Sequence, residues 1–196
     1  MSEAEIARRK AEARKTARAA RAAADPDGAA ALIAHFPPEL WGRSPVAGYW
    51  PVGTEIDPRP LMAALAARGA ALALPRLAAP NEAARFFAWT PGDPLAADAF
   101  GVPAPLARQA ELSPKIILAP LLAFDRAGYR LGQGGGIYDR TLAAFRLGGA
   151  ITVGLAYAAQ EIPCTPAGAL DEPLDWVVTE LGALRCAPAG PRRPYP

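Results

Sequence analysis

Twelve consecutive residues hold most of what could do chemistry in this chain. Tyr129 to Arg140 reads Tyr-Arg-Leu-Gly-Gln-Gly-Gly-Gly-Ile-Tyr-Asp-Arg, with glycines at 132, 134, 135 and 136. Glycine tolerates positive φ and lets backbone N–H groups crowd against a ligand. Upstream, Lys115 to Ala119 is a short apolar run of the kind a buried strand needs, and downstream Ile137 to Phe145 has the apolar spacing of a helix. A strand, a glycine loop and a helix in that order make a phosphate cradle, because a helix N-terminus offers unpaired N–H groups and partial positive charge. The loop brings its own side chains: Arg130 before the glycines, Asp139 and Arg140 after them. A cation, an anion-binding loop and a carboxylate able to hold magnesium suggest nucleotide chemistry. The spacing matches neither the P-loop nor the dinucleotide fingerprint, and the glycines taken alone would equally suit a tight turn.

The elements that must position this loop read as follows. Ser2 to Ala24 is rich in Ala, Arg, Lys and Glu, all strong helix formers, and has Ile6 as its only large apolar residue. The sequence predicts a long, largely exposed helix there, broken by Asp25-Pro26-Asp27-Gly28. A second helix is expected over Ala29 to Phe36, stopped by Pro37-Pro38, and a strand over Val46 to Trp50. Asp57 and Pro58 look like the N-cap and first position of a helix whose buried face is Leu61, Met62 and Leu65, with Gly69 past its end. Further strands are expected at Ala70 to Leu74, at Arg85 to Trp89 on an edge, at Ala150 to Leu155, and last at Trp176 to Thr179. Leu95 to Leu112 reads mostly as loop with a helical turn near Leu106, and the stretch from 120 to 136 as one loop. Strands alternating with helices predict an α/β fold: a single domain with an open, mainly parallel sheet flanked by helices in a Rossmann-like three-layer arrangement. The domain is expected to run from residue 1 to 185, with a proline-rich, disordered tail over 186–196. Ligands of such sheets bind beyond the carboxyl ends of the strands, which draws attention to Trp50, Arg76, the 120–136 loop and the residues after Leu155.

Composition narrows the function classes. The 196 residues suit one domain with a sizeable core. A net charge of +2 is too small to imply nucleic acid. No segment is long and apolar enough to span a membrane, and the charged N-terminus lacks the apolar region of a secretory signal. Cys164 and Cys186 stand far apart with no His or Cys nearby, as free thiols in a reducing cytoplasm would. His35 is the only histidine and reads as structural, so triad or His-ligated zinc chemistry is disfavoured. The expectation is a cytoplasmic monomer without nucleic-acid or membrane partners.

With its flanks included, the loop becomes specific. Arg130-Leu131-Gly132-Gln133-Gly134-Gly135-Gly136-Ile137-Tyr138-Asp139-Arg140 resembles the signature of the 5-formyltetrahydrofolate cyclo-ligase family, also called 5,10-methenyltetrahydrofolate synthetases. Other segments match in the right order: Lys10 and Arg14, Tyr49 to Glu55, Leu74-Pro75-Arg76, Phe100 to Pro103, Ala119 to Asp125, Val153 to Tyr157, and Asp171 through Asp175. The resemblance implies ring closure of 5-formyltetrahydrofolate to 5,10-methenyltetrahydrofolate, dependent on ATP and magnesium and passing through an N5 iminium phosphate. It also implies site residues. Lys10, Arg14, Arg130 and the run from Leu131 through Gly132, Gln133, Gly134, Gly135, Gly136 and Ile137 to Tyr138 would hold ATP. Trp50, Glu55, Gln133 and Ile137 would contact the folate, and Asp139 with Asp171 would bind magnesium.

Each residue also has a plainer reading. Lys10 and Arg14 share a helix face, but Arg8, Arg9, Lys15 and Arg18 show how easily chance supplies such a pair, and without the resemblance a solvated basic face is the favoured use for them. Glu55 and Asp139 suit helix starts, Asp171 suits a loop, and Trp50 suits the core. One departure stands out: Ile137 replaces the first tyrosine of the family's Tyr-Tyr-Asp. The alternative to turnover is therefore a non-catalytic or retargeted homologue that binds nucleotide or folate.

Overall fold

The computed structural model describes residues 2–186. Helix α1, Glu3–Ala22, is capped by Ser2, whose Oγ accepts from the Glu5 N–H at 3.3 Å. A 3-10 turn over Pro26–Ala31 leads into the short helix α2, Leu32–His35. Helix α3, Arg59–Ala67, begins one residue later than the Asp57-Pro58 pattern predicts. Pro58 is its N-cap, and Asp57 Oδ1 accepts the Arg59 N–H at 2.9 Å from just outside. Helix α4, Ile137–Arg146, follows the glycine loop.

The strands in chain order are β1 (Val46–Ala47), β2 (Leu72–Arg76), β3 (Arg85–Ala88), β4 (Leu95–Ala97), β5 (Pro103–Pro105), β6 (Ile116–Pro120), β7 (Ala123–Phe124), β8 (Arg130–Leu131), β9 (Ile151–Leu155), β10 (Trp176–Thr179) and β11 (Gly182–Arg185). Seven of them form one sheet in the order β11-β10-β9-β6-β1-β2-β3. The pairs from β10 through β9, β6 and β1 to β2 are parallel, and β3 and β11 close the two edges antiparallel. A parallel strand is covered on both faces, and so reads as a continuous apolar run. Ile116 and Leu118 of β6 face Leu32, Leu61, Met62 and Leu65 on one side, while Ile117 and Ala119 join Leu142 of α4 on the other. The open, mainly parallel sheet flanked by helices is the architecture the sequence predicts.

Three differences have physical causes. First, Trp176–Thr179 is not the last strand: β11 pairs with it, but half of its residues are exposed, so it lacks an apolar signature. Second, the 95–112 region holds a two-stranded ribbon, β4 with β5. Pro103 and Pro105 are tolerated there because a ribbon has free edges where a missing N–H breaks no ladder. Third, the 120–136 stretch contains the hairpin β7–β8, so β6 does not run directly into the glycine loop. Its turn is held by Asp125, whose Oδ1 accepts the N–H groups of Ala127 at 3.0 Å and Tyr129 at 3.1 Å. Helix α1 lies across this hairpin, with Ala17 packed against Leu122, Ala123 and Leu131.

The proline-rich tail lies outside the described residues apart from Cys186. That residue is buried and donates its N–H to the Asp175 carbonyl at 2.9 Å, so packed structure extends one residue past the expected boundary. Both cysteines are free thiols. Among the described residues no helix is long and apolar enough to cross a membrane.

Candidate functional site

A cavity of about 600 Å³ opens beyond the carboxyl end of β6, between α1, the glycine loop and the start of α4. This is the side of an open α/β sheet where ligands bind. The glycine loop forms one wall, and its shape follows from its composition. Gly136 is the N-cap of α4 at φ +64°, and a Cβ there would fall 2.8 Å from Arg140 Nη1. Gly134 takes φ +113°, a region that a side chain disfavours, and the Arg14 guanidinium lies beside it. Arginines hold the loop carbonyls: Arg14 Nε donates to Gly132 O at 2.9 Å, and Arg140 Nη2 to Gly135 O at 2.8 Å and to Pro80 O at 2.7 Å. Among the described residues the N–H groups of Gln133, Gly134, Gly135 and Gly136 make no hydrogen bond. They join the first-turn N–H groups of α4, unpaired in any helix, as donors for an anion.

Charged side chains surround the loop in pairs. Arg130 is buried; its Nη1 donates to Glu172 O at 2.6 Å and its Nη2 to Asp139 Oδ1 at 2.9 Å. Lys10 Nζ reaches across from α1 to both oxygens of Asp171 at 2.6 Å. The Gly168 N–H also donates to Asp171 Oδ2. Arg18 Nη2 donates to Gln133 Oε1 at 3.1 Å. Leu131, Ile137 and Tyr138 complete the loop side of the lining. Burial pushes the Tyr138 phenol well up from its ordinary pKa, with the Glu55 charge as the second cause, so it is a hydrogen-bonding phenol at any working pH.

Away from the loop the cavity meets Glu55 and Arg21. Glu55 Oε2 accepts the Val52 N–H at 3.0 Å, and Oε1 lies 3.6 Å from Arg21 Nη1. Burial pushes the Glu55 carboxyl above its ordinary pKa, against the opposing pull of the Val52 N–H and Arg21.

The structure thus gathers Lys10, Arg14, Glu55, the whole run from Arg130 to Asp139, and Asp171 around one cavity. Trp50 is the exception. It packs edge-on against Trp89 at 6.4 Å with the Arg59 guanidinium over its ring, outside the lining. Arg21 and Glu172 were not singled out from the sequence. A signal for Arg21 existed: Lys10, Arg14, Ala17 and Arg21 fall at i, i+4, i+7 and i+11, which is one helix face. Glu172 carried none, because its backbone oxygen does the holding.

The donor set also bears on magnesium. Glu172 N donates to Asp139 Oδ1 at 3.3 Å, which brings Asp139 beside the residue after Asp171. Asp139 Oδ2 makes no hydrogen bond among the described residues. Among those residues no cluster of three His, Cys, Asp or Glu side chains could cage a metal alone. One or two carboxylates beside an anion-binding loop is nevertheless the donor set magnesium takes when phosphate and water complete its shell. The residues fit the ion. The lining sets five cations, Lys10, Arg14, Arg21, Arg130 and Arg140, against four carboxylates, Glu55, Asp139, Asp171 and Glu172. A divalent ion on the carboxylates would tip this near-balance towards phosphate.

Comparison with known proteins shows what the chain is similar to. The model of the 5-formyltetrahydrofolate cyclo-ligase family matches residues 3–180. The 5-formyltetrahydrofolate cyclo-ligase of Haemophilus influenzae is 39% identical over 93 residues, which are 45% of this chain and 50% of that protein, so the match spans half the length of that relative. The Escherichia coli K12 protein of the same name is 32% identical over 157 residues, 77% of this chain and 85% of that one. Among solved structures, 5,10-methenyltetrahydrofolate synthetase of Aquifex aeolicus superposes with a TM-score of 0.77 at 28% identity, covering 94% of this chain and 96% of that one. The synthetase of Mycoplasma pneumoniae shares the fold, with a TM-score of 0.67 at 21% identity over 87% of this chain and 98% of that one.

Proposed function

The chain belongs to the 5-formyltetrahydrofolate cyclo-ligase family, and we propose that it closes 5-formyltetrahydrofolate to 5,10-methenyltetrahydrofolate with cleavage of ATP to ADP and phosphate, the formyl oxygen leaving on the phosphate. The reaction needs activation because an amide-like formyl oxygen is both a poor nucleophile and a poor leaving group. In the proposed course that oxygen attacks the γ-phosphorus and ADP departs, leaving an N5 iminium phosphate. N10 then adds to the activated carbon, loses its proton, and phosphate leaves as the ring closes. Such a course asks the protein for positioning and charge neutralisation and for no side-chain nucleophile.

The observation that carries the proposal is the pairing of two unlike surfaces in one cavity: a loop of unsatisfied N–H donors with Lys10, Arg14 and Arg130, and a partly buried carboxylate, Glu55, away from it. The N–H groups of residues 133–136 and the α4 N-terminus suit the triphosphate, with Arg14, Arg130 and Lys10 around it. Lys10 is tied to Asp171, and Arg130 to Asp139. Phosphate and metal would therefore share the rearrangement, each taking one member of a pair. Asp139 and Asp171 would hold magnesium, which supplies charge neutralisation between the phosphates. Glu55 suits the amino-pyrimidine edge of the pterin, which offers N–H donors to a carboxylate. Gln133, Ile137 and Tyr138 lie where the two ligands would meet.

The experiment is a rise in methenyl absorbance when purified protein meets ATP, magnesium and 5-formyltetrahydrofolate, with none when any one is omitted. A folded protein that binds nucleotide or folate and never yields that chromophore overturns the reading in favour of a non-catalytic homologue.

A further inference from the structure

Arg21 is a cost to the fold that packing alone does not repay. Its side chain is 7% exposed, deep among the residues behind α1. Its Nε donates to Thr54 Oγ1 at 3.1 Å, but Nη1 is buried and has no hydrogen-bond partner. Nη2 makes none either among the described residues. Its ion-pair partner, Glu55 Oε1, stands 3.6 Å from Nη1, beyond good hydrogen-bond range. A buried guanidinium with unsatisfied donors is unfavourable unless something else meets them. Arg21 lines the same cavity as Glu55 and the glycine loop. Along α1 it lies eleven residues beyond Lys10, about 16 Å at the helical rise. Lys10 sits by Asp171 at the phosphate-binding side, so the helix delivers a second cation far from any phosphate there.

We propose that Arg21 and Glu55 form one recognition pair for a 2-amino-4-oxo-pyrimidine edge. The carboxylate accepts the 2-amino and N3 hydrogens, and the guanidinium donates to the 4-oxo oxygen. This rests on the proposed entry of the folate at Glu55. The two side chains match the edge in order and in sign: N–H, N–H, then C=O against acceptor, acceptor, then donor. The 3.6 Å between Nη1 and Oε1 sets the two groups side by side, so both can face neighbouring positions along one ring edge. The pair also explains specificity. A 2,4-diamino analogue would set an amino group against the guanidinium, donor against donor, and leave Arg21 unmet.

The test uses the full chain, with 5-formyltetrahydrofolate and its 4-amino-4-deoxy analogue as competing ligands. Wild-type protein should bind the 4-oxo compound about tenfold to a hundredfold more tightly, the range for one hydrogen bond to a charged group. Arg21→Leu should raise the KM for folate by a similar factor, leave that for ATP within about twofold, and level the preference between the two compounds. Arg21→Lys should restore part of the preference. Equal binding of both compounds by wild-type protein overturns the pair even if the leucine variant does not fold. So does a leucine variant that keeps the preference, or that loses ATP and folate affinity alike. Absence of any methenyl product from wild-type protein overturns the cyclo-ligase reading instead, and is read before either variant is made.

Discussion

Helix α1 carries seven basic residues, and its two faces use them differently. On the outer face Arg8 bridges Glu5 at 2.9 Å and Glu12 at 2.7 Å, and Arg9 bridges Glu5 at 2.7 Å. Arg8 and Arg9 pull the Glu5 carboxyl down to about 2, yet these are neighbours within one exposed helix, where screening leaves such pairs little net effect. On the inner face Lys10 meets Asp171, 161 residues away, and Arg14 meets the Gly132 carbonyl, 118 away. The inner contacts fix where α1 lies relative to the glycine loop. The residue types and hydrogen-bond lengths are alike, and sequence distance together with burial separates decoration from architecture.

The strongest way to break this contrast is at Arg130, which anchors the inner network from the hairpin side. Arg130→Met should abolish measurable turnover and lower stability by about 2–4 kcal/mol, because it takes the donor from the Glu172 carbonyl and the cation from the Asp139 carboxylate together. Chemical denaturation and the methenyl assay measure the two effects. A variant with wild-type stability would show that the inner pairs are as dispensable as the outer ones. Next in size, Asp139→Asn keeps the shape and the bond to Arg130 but removes charge. Turnover should fall about tenfold to a hundredfold at limiting magnesium, with the unfolding midpoint nearly unchanged. Unaltered magnesium dependence would remove Asp139 from the metal site.

Arg14→Ala tests the inner face of α1 directly. The Gly132 carbonyl loses its partner, and the loop loses the guanidinium beside Gly134. The apparent ATP requirement should rise about tenfold, the scale of one charged hydrogen bond, with the folate KM unmoved. The reverse pattern would mean that α1 faces the folate at this turn.

How far these faces could be read in advance differs along the chain. The 130–140 signature was legible because glycines, a helix start and flanking charges sit in one short run. The sheet core was legible at Lys115–Ala119 because burial on both faces leaves a continuous apolar run. The hairpin β7–β8 was not, since its strands are two residues each and its turn depends on Asp125 reaching back to its own backbone. Arg21 was hidden among similar neighbours. Its face was readable from the i, i+4, i+7, i+11 spacing, but Thr54 and Glu55 come to it only through the chain returning along β1. Trp50 was expected to end a strand, but β1 stops at Ala47, and Trp50 packs against Trp89 from the neighbouring edge region, outside the cavity lining.

Glu55 sharpens the comparison through pH, because it is a carboxylate facing an inner-face arginine where Glu5 faces outer-face ones. Burial raises the Glu55 pKa, whereas hydrogen bonds from Arg8 and Arg9 lower that of Glu5. A carboxyl with a raised folded-state pKa contributes stability below the ordinary carboxylate range and loses it as pH climbs through the raised value. Folate recognition runs the other way, since only the ionised form accepts both N–H groups. The folate KM should therefore climb severalfold as pH falls through that same raised value, an acid limb absent from Glu55→Gln. A limb that persists in the glutamine variant would assign it to another group.

The smallest effect is predicted at Arg8, and it is the control on which the contrast stands. Arg8→Ala breaks two charged pairs with hydrogen bonds of 2.7 and 2.9 Å, close to the 2.6 Å of Lys10, so a count of contacts would rank the two residues together. Arg8 is exposed, however, and its partners lie within one turn on the same helix. Water and salt replace what the substitution removes, and alanine is the better helix former. KM values for both substrates should be unchanged and the thermal midpoint unmoved within measurement scatter, at low and at physiological salt. A loss of ATP affinity in Arg8→Ala approaching that in Arg14→Ala would show that the phosphates feel the whole basic field of α1, and the division of the helix into two faces would lose its functional meaning.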